Sequence, residues 1–236
     1  MLFRSVSTFD ENVIKSFFFS NINVETWVTS PNHGNLNKLT VLKKAVESGI
    51  DVPKTIVCST KQELRRFIED NNIVITKDLT IPYLFLFEHE AAASKTIIVN
   101  SSFLDKMPDI FKPSLFQRLV IKEYEIRSFY FDNKFYSMAI FSQLDDETKI
   151  DFRNYNQNKP NRFVPYKLPN ELEMKLETLM KKMSLFSGSI DLIKEKNGGY
   201  IFLEINPVGQ FGMTSLPCNY YLEKIIASYL ITENEK

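Results

Sequence analysis

Histidine and cysteine are scarce in this chain, two of each among 236 residues. His33 and His89 form no HExxH or comparable pair, and Cys58 and Cys218 fit no metal spacing, which argues against a zinc enzyme. Two distant cysteines read as free thiols of a cytoplasmic protein. The phosphate loops GxxxxGK[ST] and GxGxxG are missing, and so is a GxSxG nucleophile elbow. No apolar run approaches the roughly 18 residues of a membrane helix, and Met1-Leu2-Phe3-Arg4 leads into polar sequence with no signal-peptide core. Charge of neither sign is in excess, with 29 Lys+Arg against 29 Asp+Glu. Nothing therefore draws the chain to nucleic acid or anionic membrane in general, and its partners must be met at specific sites.

What is present is concentrated near the end of the chain. Glu204-Ile205-Asn206-Pro207 closes an apolar strand, Tyr200–Asn206, and alternation puts Glu204 and Asn206 on one face. A carboxylate and an amide both offer hard oxygen ligands, the kind Mg²⁺ takes. Upstream, Asp191 lies in a second apolar strand, Ser187–Ile193. Asn197-Gly198 between them is the strongest short hairpin signal. If those two residues are the turn, Lys196 pairs with Gly199, and counting back sets Asp191 directly opposite Glu204. A slip of one residue would turn Asp191 to the other face.

Elsewhere the chain reads as mixed helix and strand in two lobes. Residues 1–35 look irregular, with a strand around Ile22–Val28, and Phe17-Phe18-Phe19 reads as core packing. Helices are expected over Leu36–Ser48, after Ser59 or Thr60 with Glu63 completing a capping box, over Asn170–Met183 and over Tyr220–Leu230. Strands are expected at Thr55–Cys58, Asn72–Thr76, Tyr83–Phe87, Thr96–Val99, Leu115–Ile121, Glu125–Phe131 and Phe135–Ser142. Asp132-Asn133-Lys134 reads as a turn, and Gln143–Lys167 as a polar loop. On the strand from Glu125, the side chains of Glu125 and Arg127 share a face. By themselves they are as well explained by a cross-strand ion pair as by a ligand site.

In order along the chain, Lys38, Lys77, Gln117-Arg118-Leu119-Val120, Glu125-Ile126-Arg127, Asp191, Glu204 and Asn206 resemble the ATP-grasp ligases. Lys122-Glu123-Tyr124-Glu125-Ile126-Arg127, Ser142-Gln143, Asp151-Phe152-Arg153 and Glu204–Phe211 resemble, more narrowly, the maturases of microviridin-like and grasp-with-spasm peptides. The resemblance implies an α+β ATP-grasp fold, two α/β lobes holding a nucleotide between antiparallel sheets. It divides the chain into a lobe over 37–115 and a lobe over 116–236 that carries the Mg-ATP site. Residues 1–36 would be a remnant of the domain that precedes the first lysine in that family.

The resemblance also implies roles. Lys38 and Lys77 would contact the ATP phosphates from the first lobe. Gln117 and the backbone of Leu119 and Val120 would read the adenine edge, and Glu125 would accept the ribose hydroxyls. Asp191, Glu204 and Asn206 would hold Mg²⁺, two ions in such enzymes, and Arg127 and Arg153 would stabilise the transferring phosphoryl group. Residues 78–115 contain no glycine, so phosphate contacts from that segment would rest on side chains rather than close backbone approach. The implied partner is a ribosomal precursor peptide, leader and core, with neither nucleic acid nor membrane, and a homodimer is compatible with the family. The implied activity joins side chains of that peptide as esters or amides. Ligation of a free amino acid to a protein or small molecule, and nucleotide binding without turnover, are the alternatives.

Overall fold

The computed structural model describes residues 8–23, 27–30, 34, 36–77, 79, 84–87, 90–93, 96–142 and 161–234. The chain forms, in order, α1 Thr8–Asn21, α2 Lys38–Val46, β1 Thr55–Thr60, α3 Lys61–Asn71, β2 Val74–Lys77, β3 Leu84–Phe87, β4 Glu90–Ala93 and β5 Ile97–Val99. There follow α4 Ser101–Lys106, β6 Ile110–Arg118, β7 Lys122–Phe131, β8 Lys134–Phe141 and β9 Arg162–Tyr166. The last elements are α5 Asn170–Lys182, β10 Ser187–Glu195, β11 Tyr200–Asn206, α6 Gly212–Cys218 and α7 Leu222–Asn234. The strands make a four-stranded sheet of order β1-β6-β2-β5, a five-stranded sheet of order β11-β10-β7-β8-β9, and a β3–β4 hairpin. Every pairing described is antiparallel.

Local chemistry explains most boundaries. The Asn37 side-chain oxygen accepts from the N–H groups of Leu39 and Thr40 at 3.0 and 3.1 Å, which starts α2. Thr60 caps α3 by accepting from the Glu63 N–H, and its own hydroxyl donates to Glu63 Oε2 at 2.6 Å. Leu64, with Phe67 and Ile68 against it, then packs on Cys58, Val74 and Phe116 as the core of the four-stranded sheet. Asp132 and Asn133 both take positive φ, 47° and 59°, as a two-residue hairpin turn of the right twist requires.

The five-stranded sheet has a core of its own. One face offers Ile126, Ile190, Leu192, Phe202 and Ile205, and α2 and α5 cover it with Leu42, Ala45, Leu176 and Leu179. The two helices also tie their C-terminal ends together. Lys44 Nζ donates to Lys182 O at 2.7 Å and Lys182 Nζ to Glu47 O at 2.9 Å, each ammonium satisfying an orphan carbonyl of the other helix. The Phe202 N–H donates to Asp51 O at 2.8 Å, so the segment after α2 covers part of the open edge of β11. Although α2 precedes the four-stranded sheet in sequence, it packs on the five-stranded one.

The other face is partly roofed by the last helices. Cys218 lies against Met138 and Ile140, and Leu222 against Phe129 and Phe131. Tyr220 donates to Ser137 O at 2.6 Å and pins the start of this cover. Among the described residues no helix is long and apolar enough to cross a membrane.

The N-terminal segment departs from expectation. Residues expected to be irregular form α1, no strand forms among the described residues of 22–28, and Phe17, Phe18 and Phe19 are 65%, 63% and 41% exposed rather than in a core. A strand would need a neighbour for its backbone bonds, whereas a helix satisfies its own. Ser20 and Asn21 side chains both donate to Phe17 O at 2.8 Å and close its last turn. The polar loop expected over 143–167 contains β9, which pairs with β8; residues 143–160 lie outside those described.

Candidate active site

The β10–β11 hairpin brings Asp191 opposite Glu204 and Ser189 opposite Asn206, the register expected for a metal site. It reaches that register by an unexpected route. Asn197-Gly198 is not a two-residue turn. Glu195, not Lys196, pairs with Gly199: the Glu195 N–H donates to Gly199 O and the Gly198 N–H to Glu195 O, both at 3.0 Å. This is a three-residue loop, Lys196-Asn197-Gly198, with Gly198 at φ +95° in the left-handed position such loops need. Left uncorrected, the loop would shift every later pair by one residue and turn Glu204 toward α2 and α5. A β-bulge between the Asp191 and Leu192 pairs restores the register, with Leu203 as the extra residue. Leu203 packs with Ile193 and Ile201 on the charged face, and Glu204 beside it is re-aimed there.

Across the sheet the same face carries a row of side chains. Met138, Arg127, Asp191 and Glu204 stand opposite one another on β8, β7, β10 and β11. Arg127 Nη1 lies 3.3 Å from both Asp191 oxygens, with side chains only 4% and 15% exposed. Arg127 Nε and Nη2 are buried with no hydrogen-bond partner. Lys38, the first residue of α2, reaches over the β11 edge to within 3.9 Å of Glu204 Oε2. The structure thus gathers Lys38, Arg127, Asp191 and Glu204, with Asn206 two residues farther along β11.

Glu125 lies on the same face of β7, opposite Ile193, and is buried. It pairs with Lys122, which is buried as well. Lys122, part of the motif Lys122–Arg127 but given no role there, is a further functional candidate, although residues three apart on a regular strand point to opposite faces. A second bulge, between the Lys194 and Glu195 pairs with Glu123 as the extra residue, turns Lys122 to the side of Glu125.

The remaining candidates sit on or beside the four-stranded sheet. Lys77 ends β2 opposite Leu115. Gln117 is buried on β6 and its Nε2 donates to Thr55 Oγ1 at 2.9 Å, so its amide is held by β1. The Leu119 N–H donates to Ile73 O at 2.8 Å, which leaves its carbonyl, with Val120, as backbone groups of this crossing between the sheets. Arg153 lies outside the described residues.

Two carboxylates and one amide are too few ligands to close a protein-only metal cage, and among the described residues no group of three or more His, Cys, Asp or Glu could hold an ion. Such a set does suit Mg²⁺, which usually takes one or two carboxylates and completes its shell with phosphate oxygens and water. The unpartnered Nε and Nη2 of a buried, permanently charged guanidinium suit an anionic oxygen beside it.

No family model matches the chain, and no curated protein sequence does. Solved structures match. An ATP-grasp ligase of Chryseobacterium gregarium, associated with ribosomally made and modified peptides and determined with ADP and a leader and core peptide, superposes with a TM-score of 0.78. It is 25% identical over 89% of this chain and 64% of its own. The macrocyclase MdnC of Microcystis aeruginosa MRC, bound with its precursor peptide MdnA, gives the same TM-score at 27% identity, over 98% of this chain and 75% of that one. PsnB, an ATP-grasp ligase complexed with a variant of its minimal precursor, Mg and ADP, has a TM-score of 0.68 at 20% identity, over 87% and 61%, a likeness of fold alone. This chain thus spans less than two thirds of the Chryseobacterium ligase and of PsnB. The protein has the ATP-grasp fold. Within that fold, its structural likeness is to the ligases that modify ribosomal precursor peptides.

Proposed function

We propose that this protein is an ATP-dependent, ADP-forming ligase that activates Asp or Glu side chains of a ribosomal precursor peptide in the cytoplasm and joins them to hydroxyl or amino groups of the same peptide. The observation that carries this reading is the row Arg127, Asp191, Glu204, held in register with Asn206 by the compensating bulge. Asp191, Glu204 and Asn206 would hold two Mg²⁺ ions, which neutralise phosphate charge when bound. Arg127 and Arg153 stabilise charge on the transferring phosphoryl group, and Lys38 and Lys77 hold phosphates from opposite sides. Gln117, Leu119 and Val120 border the adenine and Glu125 accepts the ribose hydroxyls. The lobe boundary falls at residues 119–121, with α2 counted with the second lobe.

The reaction needs little covalent chemistry from the protein. A peptide carboxylate attacks the γ-phosphorus and ADP leaves, giving an acyl phosphate. A peptide hydroxyl or amine then adds to the activated carbonyl, loses its proton and expels phosphate. No protein nucleophile takes part, in keeping with the missing nucleophile motifs. The chain's own contribution is fixed charge and alignment, each well-placed group being worth about 3 kcal/mol of barrier. Co-expression with candidate precursors tests the reading by mass spectrometry. Ring formation removes the mass of one water per crosslink, with phosphate released. Precursors that gain the mass of an amino acid, or MgATP binding that never yields phosphate, would sink it.

A further inference from the structure

The bulge at Glu123 gives a residue outside the nucleotide contacts a defined job. We infer that Lys122 is a positioning residue for nucleotide recognition, which holds the Glu125 carboxylate in the orientation that accepts the ribose hydroxyls. The inference rests on the reading that Glu125 binds the ribose. Both side chains are buried, Lys122 at 4% and Glu125 at 9% side-chain exposure, and they form an ion pair. Lys122 opens β7, directly after Leu119–Ile121 crosses from the four-stranded sheet. Its backbone stands opposite Glu195, yet its ammonium is turned along the strand to Glu125.

The arrangement has a physical cost that calls for a use. A buried ion pair is seldom the most stable filling of such a space, and apolar residues of similar volume often serve folding as well or better. The pair leaves Glu125 with one oxygen, Oε1, bound to the ammonium. A carboxylate anchored through one oxygen keeps the second in a fixed direction, whereas a free one rotates about its last torsion, which has broad, shallow wells. Vicinal ribose hydroxyls present two donors at a fixed spacing, and a fixed acceptor discriminates best between them and a sugar that lacks them. Lys122 thus acts on ribose selection through Glu125 and touches no reacting atom.

Calorimetric titration of the purified chain with MgATP and with Mg-2′,3′-dideoxy-ATP tests this without any precursor. The wild type should prefer ATP, and E125A should abolish that preference. K122M should weaken ATP binding about tenfold, the loss expected for one hydrogen bond to a charged group, and leave the dideoxy nucleotide almost unaffected. K122Q, which keeps a donor without the charge, should fall between, and it decides the matter should K122M fail to fold. K122R should retain most of the preference. If K122M or K122Q weakens both nucleotides equally, or discriminates like the wild type while E125A does not, the inference is overturned and the ribose reading of Glu125 stands. If E125A keeps the preference, the ribose reading itself is wrong and the inference goes with it.

Discussion

Separating the structural from the chemical work of the Arg127–Asp191 pair is the sharpest check on the site. Arg127 Nη1 is 3.3 Å from both carboxylate oxygens, beyond the usual 2.7–3.2 Å optimum. At an effective dielectric constant near 20 the gross attraction at that distance is about 5 kcal/mol. Desolvation of two nearly buried ions opposes most of it, so the intact pair adds little net stability. Breaking it is different. D191N strands a guanidinium that is 4% exposed and should cost about 3 kcal/mol. R127M takes the guanidinium away from a carboxylate that keeps 15% exposure and should cost less, about 2 kcal/mol. The double variant removes both charges and should recover to within about 1 kcal/mol of the wild type, a clear departure from additivity. Activity should behave oppositely, falling about 10²–10³-fold in kcat for R127M with no recovery in the double variant. Urea unfolding of the four proteins without nucleotide gives the stability cycle, and phosphate release with a precursor gives the activity. Additive stability losses would refute the pairing. Recovery of turnover in the double variant would refute the catalytic role.

Three further outcomes follow from other parts of the fold. Deleting Leu203 removes the bulge but leaves Asp191 opposite Glu204, so MgATP binding should persist in calorimetry, whereas inserting one alanine after Leu203 should abolish it; the reverse result would show that the register has been misread. Tyr166 is held in its neutral form chiefly by burial and then by its bonds with Tyr124 and Tyr200, so its phenol is raised above the ordinary 10.0. The folded protein keeps that proton where the unfolded chain has lost it, and the stability this contributes is full below about pH 10 and lost as pH rises from there. The urea midpoint of the wild type should therefore drop above that pH, and drop less in Y166F; equal slopes would count against it. F17S and F18S, made on an exposed helix face, should shift stability by no more than about 0.5 kcal/mol, and a larger loss by thermal unfolding would mean the ring is in a core after all.

Parts of this site were legible because they depend on local rules. Alternation placed Glu125 with Arg127 and Glu204 with Asn206, and the structure keeps both pairs on one face. Asp191 opposite Glu204 was legible too, though for a reason only half right. The turn was read one residue short, and the bulge at Leu203 supplies the missing residue. A leucine in an apolar run gives no sign of being unpaired. The pairing of Lys122 with Glu125 was hidden by the same kind of irregularity at Glu123. Of the apolar stripe expected on α2, Leu39, Leu42, Ala45 and Val46, the structure buries Leu42 and Ala45 but exposes Leu39 and Val46, and it buries Val41 in their place. Which sheet the buried face would meet depends on long-range packing, and no periodicity encodes it. Phe17 and its neighbours err in the same way, since apolar composition does not say whether a partner surface exists.

The two lysines first assigned to one lobe are carried by different bodies. The reciprocal bonds of Lys44 and Lys182 fasten α2 to α5, and through Asp51 to β11, so Lys38 is fixed relative to Glu204. Lys77 belongs to the other sheet. If residues 119–121 hinge, Lys77 would move with its own sheet, whereas Lys38 would stay beside Glu204, one of the proposed metal ligands. In the proposed reading, closure over a nucleotide would carry Lys77 toward the phosphates, with Lys38 already in place as part of the fixed jaw.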